Sequence, residues 1–292
     1  MKTSSGLDNA TPEMNTARRE ENGTIDDFAM ATGMLNYFVQ QVVGKRLFLG
    51  GPRVVLSLPA GVNEVERQSI TASLFSAGAR RTHLIERPMA AAIGAGLKVA
   101  DARGSMIVDI GGGTTEVAVT SLGGIVLSSS LRSAGDELDS AIIAYMKRKH
   151  NVLIGEMTAE TPKKNIGSVI PMADRGNMVI RGRNLLNGLP ATLAVSSGEI
   201  REAMSEQVSR IIDCIRTTLE NTPPELSSDI YDNGIMLAGG GALLSGLDLL
   251  IQQLTGIRTM IAKNPMDCVA MGIGKVIDSV GELGGIVNFR TR

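Results

Sequence analysis

Apolar and polar positions change period several times along the chain, and each change marks an element. Phe28, Met34, Leu35, Phe38, Val39, Val42 and Val43 recur at helical spacing, with Asp26 and Asp27 ahead of them, and predict a helix from about Thr24. A strand is predicted over 53–59, a helix over 64–75 and a short strand over 83–86. A helix over 88–97 follows, rich in alanine, with Pro88 in its first turn. Apolar runs at 106–110, 117–119 and 125–130 read as strands. An amphipathic helix is expected over 136–150, and another after Thr158, which stands as its N-cap. Residues 178–183 and 191–195 read as paired strands around a glycine turn. Ile200, Met204, Val208, Ile211, Ile212, Ile215 and Leu219 share one face of a long helix over 197–221, stopped by Pro223 and Pro224. The remainder reads as a strand over 234–238, a helix over 242–254, a short strand over 258–261 and a helix over 265–280. The last dozen residues look frayed. Residues 1–23 are polar and carry no apolar period.

Between the strands at 106–110 and 117–119 stand Gly111, Gly112, Gly113, Thr114 and Thr115. A glycine turn lets the main chain approach a ligand without Cβ obstruction, and successive N–H groups make an anion cradle. The two threonines add hydroxyl donors. Asp109 and Glu116 bracket the turn and can hold a hydrated Mg²⁺ beside a phosphate. A bare structural hairpin fits the same residues. Gly239, Gly240 and Gly241 follow another buried strand, and a helix starting after them would add a positive dipole end for phosphate. Two glycine loops after two buried strands suggest two α/β subdomains facing one cleft.

Composition narrows the classes. Of 292 residues 43% are hydrophobic and 20% charged, enough apolar material for a large core. Net charge is −1 and Trp is absent, which argues against bulk nucleic-acid binding and base stacking. Two histidines cannot make a His-rich metal site, and two cysteines without CxxC spacing suit a reducing cytosol. No run has the length of a membrane-spanning helix and no signal peptide opens the chain.

Six runs in order, IERPMAAAIG (85–94), VDIGGGTTEVAV (108–119), RSAGD (132–136), IGE (154–156), TPPEL (222–226) and LAGGGALL (237–244), resemble the actin and heat-shock-chaperone ATPase superfamily, in its MreB branch of bacterial actins. The resemblance runs from about Thr24 to the C-terminus. It implies an α/β, actin-like (ribonuclease H-like) fold of two subdomains with a nucleotide cleft, the first subdomain incomplete. The expected divisions are a polar segment 1–23, a first subdomain 24–122, a second subdomain 123–264, and a helix with tail, 265–292, returning to the first. By the resemblance, Gly111, Gly112, Gly113, Thr114 and Thr115 hold phosphate and Asp109 lies near the metal. Glu160 and Lys163 contact adenosine, and Gly239, Gly240, Gly241, Ala242 and Leu243 form the adenosine loop. Without the family, Glu160 and Lys163 read as a solvated helix face. Leu47, Phe48 and Leu49, flanked by Lys45, Arg46 and Arg53, fall where the family carries a membrane-inserting loop; taken alone they read as packed inward.

Three departures qualify these expectations. No turn of the family's Gly-Ile-Asp-Leu-Gly-Thr type precedes residue 24, so one phosphate clamp is missing, the chain reads as N-terminally truncated, and the 53–59 strand is expected at a sheet edge. The family's water-orienting Glu is Arg87, which stays protonated and cannot act as a base, so no catalytic residue is assigned. Pro162 and Asn165 interrupt the adenosine helix. The expected function is a cytoplasmic filament protein, peripheral on the inner face of the cell membrane and tied to cell shape and the wall-elongation machinery. It would self-associate or join native MreB-type filaments, hold ATP and Mg²⁺ weakly, and hydrolyse poorly or not at all. The alternative is a non-catalytic module that binds or caps such filaments.

Overall fold

The computed structural model describes residues 28–43, 51–171, 175–278 and 290–291. Leu47, Phe48 and Leu49 lie outside them. The chain divides into two compact units, residues 1–87 with 273–292, and residues 88–272. The sequence placed its divisions at 122/123 and 264/265. The packing division differs because the glycine hairpin shares a sheet with the strand that feeds the second glycine loop.

In the first unit α1 (Phe28–Val43) is followed by β1 (Arg53–Leu58), α2 (Glu64–Ser76) and β2 (Arg81–Glu86). Asn63 caps α2 in a reciprocal box with Glu66, which satisfies two end donors and fixes where the helix begins. β1 and β2 run parallel, Arg53 opposite Arg81 through Leu58 opposite Glu86. A further strand, β11 (Arg290–Thr291), pairs antiparallel with β2. The tail expected to fray therefore supplies a third strand. β1 is the edge: among the described residues no strand lies on its other side.

The second unit begins with α3 (Arg87–Ala95), then β3 (Ser105–Ile110), β4 (Thr115–Ser121) and β5 (Gly124–Leu131). β3 and β4 are buried at every residue, as their unbroken apolar runs require. β5 alternates between half-buried and exposed residues, as an edge strand with one covered face does. α4 (Gly135–His150), β6 (Val152–Leu153), α5 (Glu156–Ile166), β7 (Asn177–Asn184), β8 (Pro190–Ser196) and α6 (Ser197–Glu220) come next. α7 (Pro224–Asn233), β9 (Ile235–Ala238), α8 (Leu247–Thr255), β10 (Thr259–Ile261) and α9 (Cys268–Asp278) complete the order, with residues 273–278 of α9 counted in the first unit. The main sheet is β10-β9-β3-β4-β5, with β9 and β10 parallel to β3 and the hairpin antiparallel; β6-β7-β8 form a small second sheet. Ile142, Met146, Ile200, Met204, Ile211 and Ile215, on the inner faces of α4 and α6, join β3, β4 and β9 in one core.

Three predicted elements are corrected. The helix after Gly241 is a single 3-10 turn, Gly240–Leu243; the α-helix begins only at Leu247, behind Gly246 in the left-handed region. Thr158 lies inside α5, whose N-cap is Gly155, so Pro162 stands in the helix interior. There its ring can give no N–H to the turn before it. Pro223 and Pro224, read as a terminator, also start α7: Pro224 is its first helical residue, where a missing N–H costs nothing. α7 fixes the start of β3. The Gly104 N–H donates to Asp229 Oδ2 at 2.7 Å, and Asn233 Nδ2 donates to the Gly104 carbonyl at 3.0 Å. α3 and the start of α9 meet at glycines: a Cβ on Gly94 would lie 1.7 Å from the Cys268 carbonyl oxygen, and one on Gly272 1.8 Å from that of Ala90.

Candidate functional site

The β3–β4 register pairs Ile110 with Thr115, leaving Gly111, Gly112, Gly113 and Thr114 as the turn. The Gly111 N–H closes it onto the Thr114 carbonyl at 2.9 Å. The start of α4 grips the same turn: the Gly135 and Asp136 N–H groups donate to the Gly111 and Gly112 carbonyls at 3.2 and 2.8 Å. The turn's carbonyls are thus engaged on one side. Gly112 is exposed, and Gly111 and Gly113 are half-buried. Thr115 is fully buried and its hydroxyl donates to the Ser133 carbonyl at 2.7 Å, so it anchors the turn rather than reaching outward. Asp109 and Glu116 stand directly opposite each other on adjacent strands and are 5% and 1% exposed. Opposite residues of an antiparallel pair share a face, so two carboxyl groups lie side by side at the root of the turn.

The second glycine loop packs on that root. Gly239 has φ +80°, and a Cβ there would lie 2.2 Å from the Ile110 carbonyl oxygen and 2.7 Å from Asp109 Oδ1. A Cβ on Gly241 would meet the Ile110 side chain at 2.2 Å. Only glycine fits either position, and the first also needs its conformational freedom. Gly240 faces open space, Ala242 is fully buried and Leu243 is exposed. The loop is held from behind by the Gly239 N–H on the Pro265 carbonyl at 2.7 Å. Downstream, the Val169 N–H donates to the Ser245 carbonyl at 3.0 Å, which ties the loop to the segment leaving α5.

α5 carries Glu160 and Lys163. Lys163 Nζ donates to Asp139 Oδ2 at 2.6 Å and to the Gly135 carbonyl at 2.8 Å, with both side chains about nine-tenths buried. Burial raises the Asp139 carboxyl above its ordinary value, and Lys163 opposes the rise. Lys163 is therefore a strut between α5 and the start of α4, the segment that grips the turn. Nothing in its sequence spacing announced Asp139 as its partner, since that pairing spans two helices. Glu160 pairs with Lys164 at 2.6 Å on the open side, and that hydrogen bond lowers its carboxyl. The unit thus brings together the turn, Asp109, the Gly239 loop and Lys163. In the first unit, Glu86 is held by Arg67 at 2.8 Å and is not a spare carboxylate for its neighbour Arg87. Among the described residues no three His, Cys, Asp or Glu side chains cluster as a metal site, and no helix is long and apolar enough to cross a membrane.

The family model described as MreB/Mbl protein matches residues 8–284. The chain belongs to the MreB/Mbl family. That match begins upstream of Thr24, where the motif resemblance had started. The cell shape-determining protein MreB of Escherichia coli K12 is 48% identical over 268 residues, covering 92% of this chain and 77% of the relative. The cell shape-determining protein Mbl of Bacillus subtilis 168 is 43% identical over 263 residues, covering 90% and 79%. Among solved structures, MreB5 of Spiroplasma citri bound to ADP superposes with TM-score 0.83 at 36% identity, over 89% of this chain and 78% of that one. The MamK double helical filament, at TM-score 0.70 and 20% identity, shares the fold. This MreB/Mbl chain has the actin-like α/β fold.

Proposed function

We propose that this chain is an MreB-type cytoskeletal protein that assembles into filaments and serves cell shape, binding an adenine nucleotide at the glycine turn and the Gly239 loop. The observation that carries the reading is the packing of the Gly239 loop on Asp109 and Ile110, at the root of the glycine turn, where a Cβ on Gly239 or Gly241 would collide. A cradle of main chain with no side chains in the way fits a phosphate chain. Gly111, Gly112, Gly113 and Thr114 would hold phosphate oxygens. Gly239, Gly240, Gly241, Ala242 and Leu243, with Glu160, would line the nucleoside. Mg²⁺, which is commonly held by one or two carboxylates plus phosphates, suits Asp109 with Glu116 close by. The bound ion would neutralise phosphate charge. The S. citri relative, bound to ADP and to AMPPNP, supports this reading. Peripheral attachment to the inner membrane face, through Leu47, Phe48 and Leu49, and work with the wall-elongation machinery belong to the same proposal.

Hydrolysis is expected to be slow. The family resemblance puts Arg87 at the position of a water-orienting Glu, and a missing base costs on the order of 10²–10⁴-fold in rate. Titration with a fluorescent ATP analogue should show saturable binding, weakened tenfold or more by Gly239→Ala, while phosphate release stays near background. No binding by the wild type would overturn the nucleotide reading; brisk turnover would overturn the role given to Arg87. A chain that only caps filaments would fail to pellet alone, yet would co-pellet with, and shorten, filaments of a polymerising relative.

A further inference from the structure

The hairpin of β7 and β8 carries three leucines at its tip. Leu185, Leu186 and Leu189 are 39%, 80% and 61% exposed, and Val179 on the outer face of β7 is 61% exposed. Exposed apolar side chains grouped at a hairpin tip mark a contact surface. Two observations say what it contacts.

The first is an account of main-chain donors. The Asn184 N–H donates to the Leu189 carbonyl at 2.9 Å, Leu185 to the Asn151 carbonyl at 2.8 Å, and Gly188 to the Asn184 carbonyl at 2.9 Å. The Leu186 and Asn187 N–H groups donate to Asn184 Oδ1 at 2.8 and 3.4 Å, and Leu189 to Asn187 Oδ1 at 3.0 Å. Pro190 has no N–H. Every main-chain N–H from 184 to 190 is satisfied inside the protein, so the tip can approach a bilayer without stranding a main-chain donor. Entry into hydrocarbon requires that.

The second is charge. Residues 175–196 contain Arg175, Arg181 and Arg183 and no acidic residue, in a chain of net charge −1. Arg181 and Arg183 are exposed and share the outer face of β7 with Val179. An apolar tip behind a purely cationic collar matches an anionic bilayer surface. It matches a second copy of this mildly acidic chain less well, because protein interfaces interleave both signs.

We propose that the β7–β8 tip is a membrane-contact site, with Leu185, Leu186 and Leu189 in the acyl boundary of an anionic bilayer and Arg181 and Arg183 at the lipid phosphates. The site extends the membrane reading above to a second point of contact and stands without Leu47, Phe48 and Leu49.

The chain has no Trp, so Leu186→Trp in the full-length protein gives a single reporter at an exposed position. With vesicles of phosphatidylglycerol and phosphatidylcholine its emission should shift to the blue and be quenched by brominated acyl chains. Phosphatidylcholine vesicles alone should give a much smaller change. Replacing Leu185, Leu186 and Leu189 by Ser should lower vesicle partitioning about tenfold or more. Arg181→Gln with Arg183→Gln should lower it by a similar factor on anionic vesicles only, and flatten its salt dependence. Serine at Leu47, Phe48 and Leu49 should leave the Leu186→Trp shift in place; if that variant loses binding while Trp never shifts, the loop is a membrane site and the hairpin is not. Emission unchanged by bound vesicles would overturn the proposal. A lipid-free shift that grows with protein concentration would also overturn it, assigning the tip to contact between copies.

Discussion

At Lys163 one ammonium group holds two helices together beside the glycine turn. Removing it leaves Asp139 buried and charged, with Oδ1 already lacking a hydrogen bond. Breaking such a pair costs about 3–5 kcal/mol. The cost depends on pH. Asp139 is raised by burial, so the folded state holds that proton more tightly than the unfolded state does. Its contribution to stability is greatest below the unfolded value and is lost as pH rises through the folded one. Without Lys163 the rise is larger. Lys163→Ala should therefore unfold at lower urea than the wild type at neutral pH, with a gap that narrows as Asp139 becomes protonated. A gap that widens toward acid pH would refute the strut. At this scale the sequence showed which residues carry chemistry but not whom they touch. Thr115 was legible as part of a phosphate turn, yet its partner, the Ser133 carbonyl, depends on how β5 leads into α4. Gly239 was legible as a loop glycine; its contact with Asp109 exists only once β3 and β9 lie side by side.

Helices announced themselves when their caps were local. α6 starts at Ser196, whose hydroxyl accepts from the Glu199 N–H while Glu199 answers the Ser196 N–H, and its one-sided apolar stripe fixed its length. Glu199 also meets His150 at 2.8 Å, joining the end of α4 to the start of α6. Burial pushes the Glu199 carboxyl up, but its bonds from Ser196 and His150 outweigh that and leave it below its ordinary value. A depressed carboxyl stabilises above its unfolded value, and the benefit is lost as pH falls through the folded one. Ser196→Ala should cost about 1 kcal/mol. Glu199→Gln should be destabilised at neutral pH and converge on the wild type once the wild-type Glu199 carboxyl is protonated, as thermal melts across the acid range would show. Failure to converge would place the effect elsewhere than in that charge. Where the stop signal was also a start signal, the pattern misled: Pro224 ends nothing that Pro223 had not ended, and opens α7. Gly246, not Gly241, sets the start of α8: its left-handed conformation ends the preceding segment, and a Cβ there would meet the Ile170 side chain at 2.4 Å.

Over the molecule as a whole, protection should be uneven. β1 is an edge among the described residues and alternates between exposed, half-buried and buried positions, whereas β3, β4 and β9 lie within the main sheet. Amide exchange should be fast over 53–58 and slow over 106–119, 200–215 and 235–238. Equal protection of β1 and β3 would show that something covers the edge. The α/β architecture was legible because strand and helix periods alternate cleanly; β11 was not, since two residues show no period and take their conformation from β2. The order of the main sheet has a further consequence, in time. β3 and β4 are adjacent in the chain, but β3's other neighbour, β9, pairs Met106 with Ile235, about 130 residues later. At roughly 5–20 residues per second, a ribosome leaves one flank of β3 open for about 6 to 26 s. During synthesis the hairpin that frames the site is thus a naked apolar edge, and a nascent chain of this protein must be kept from pairing with its neighbours on the same message until residue 238 has emerged.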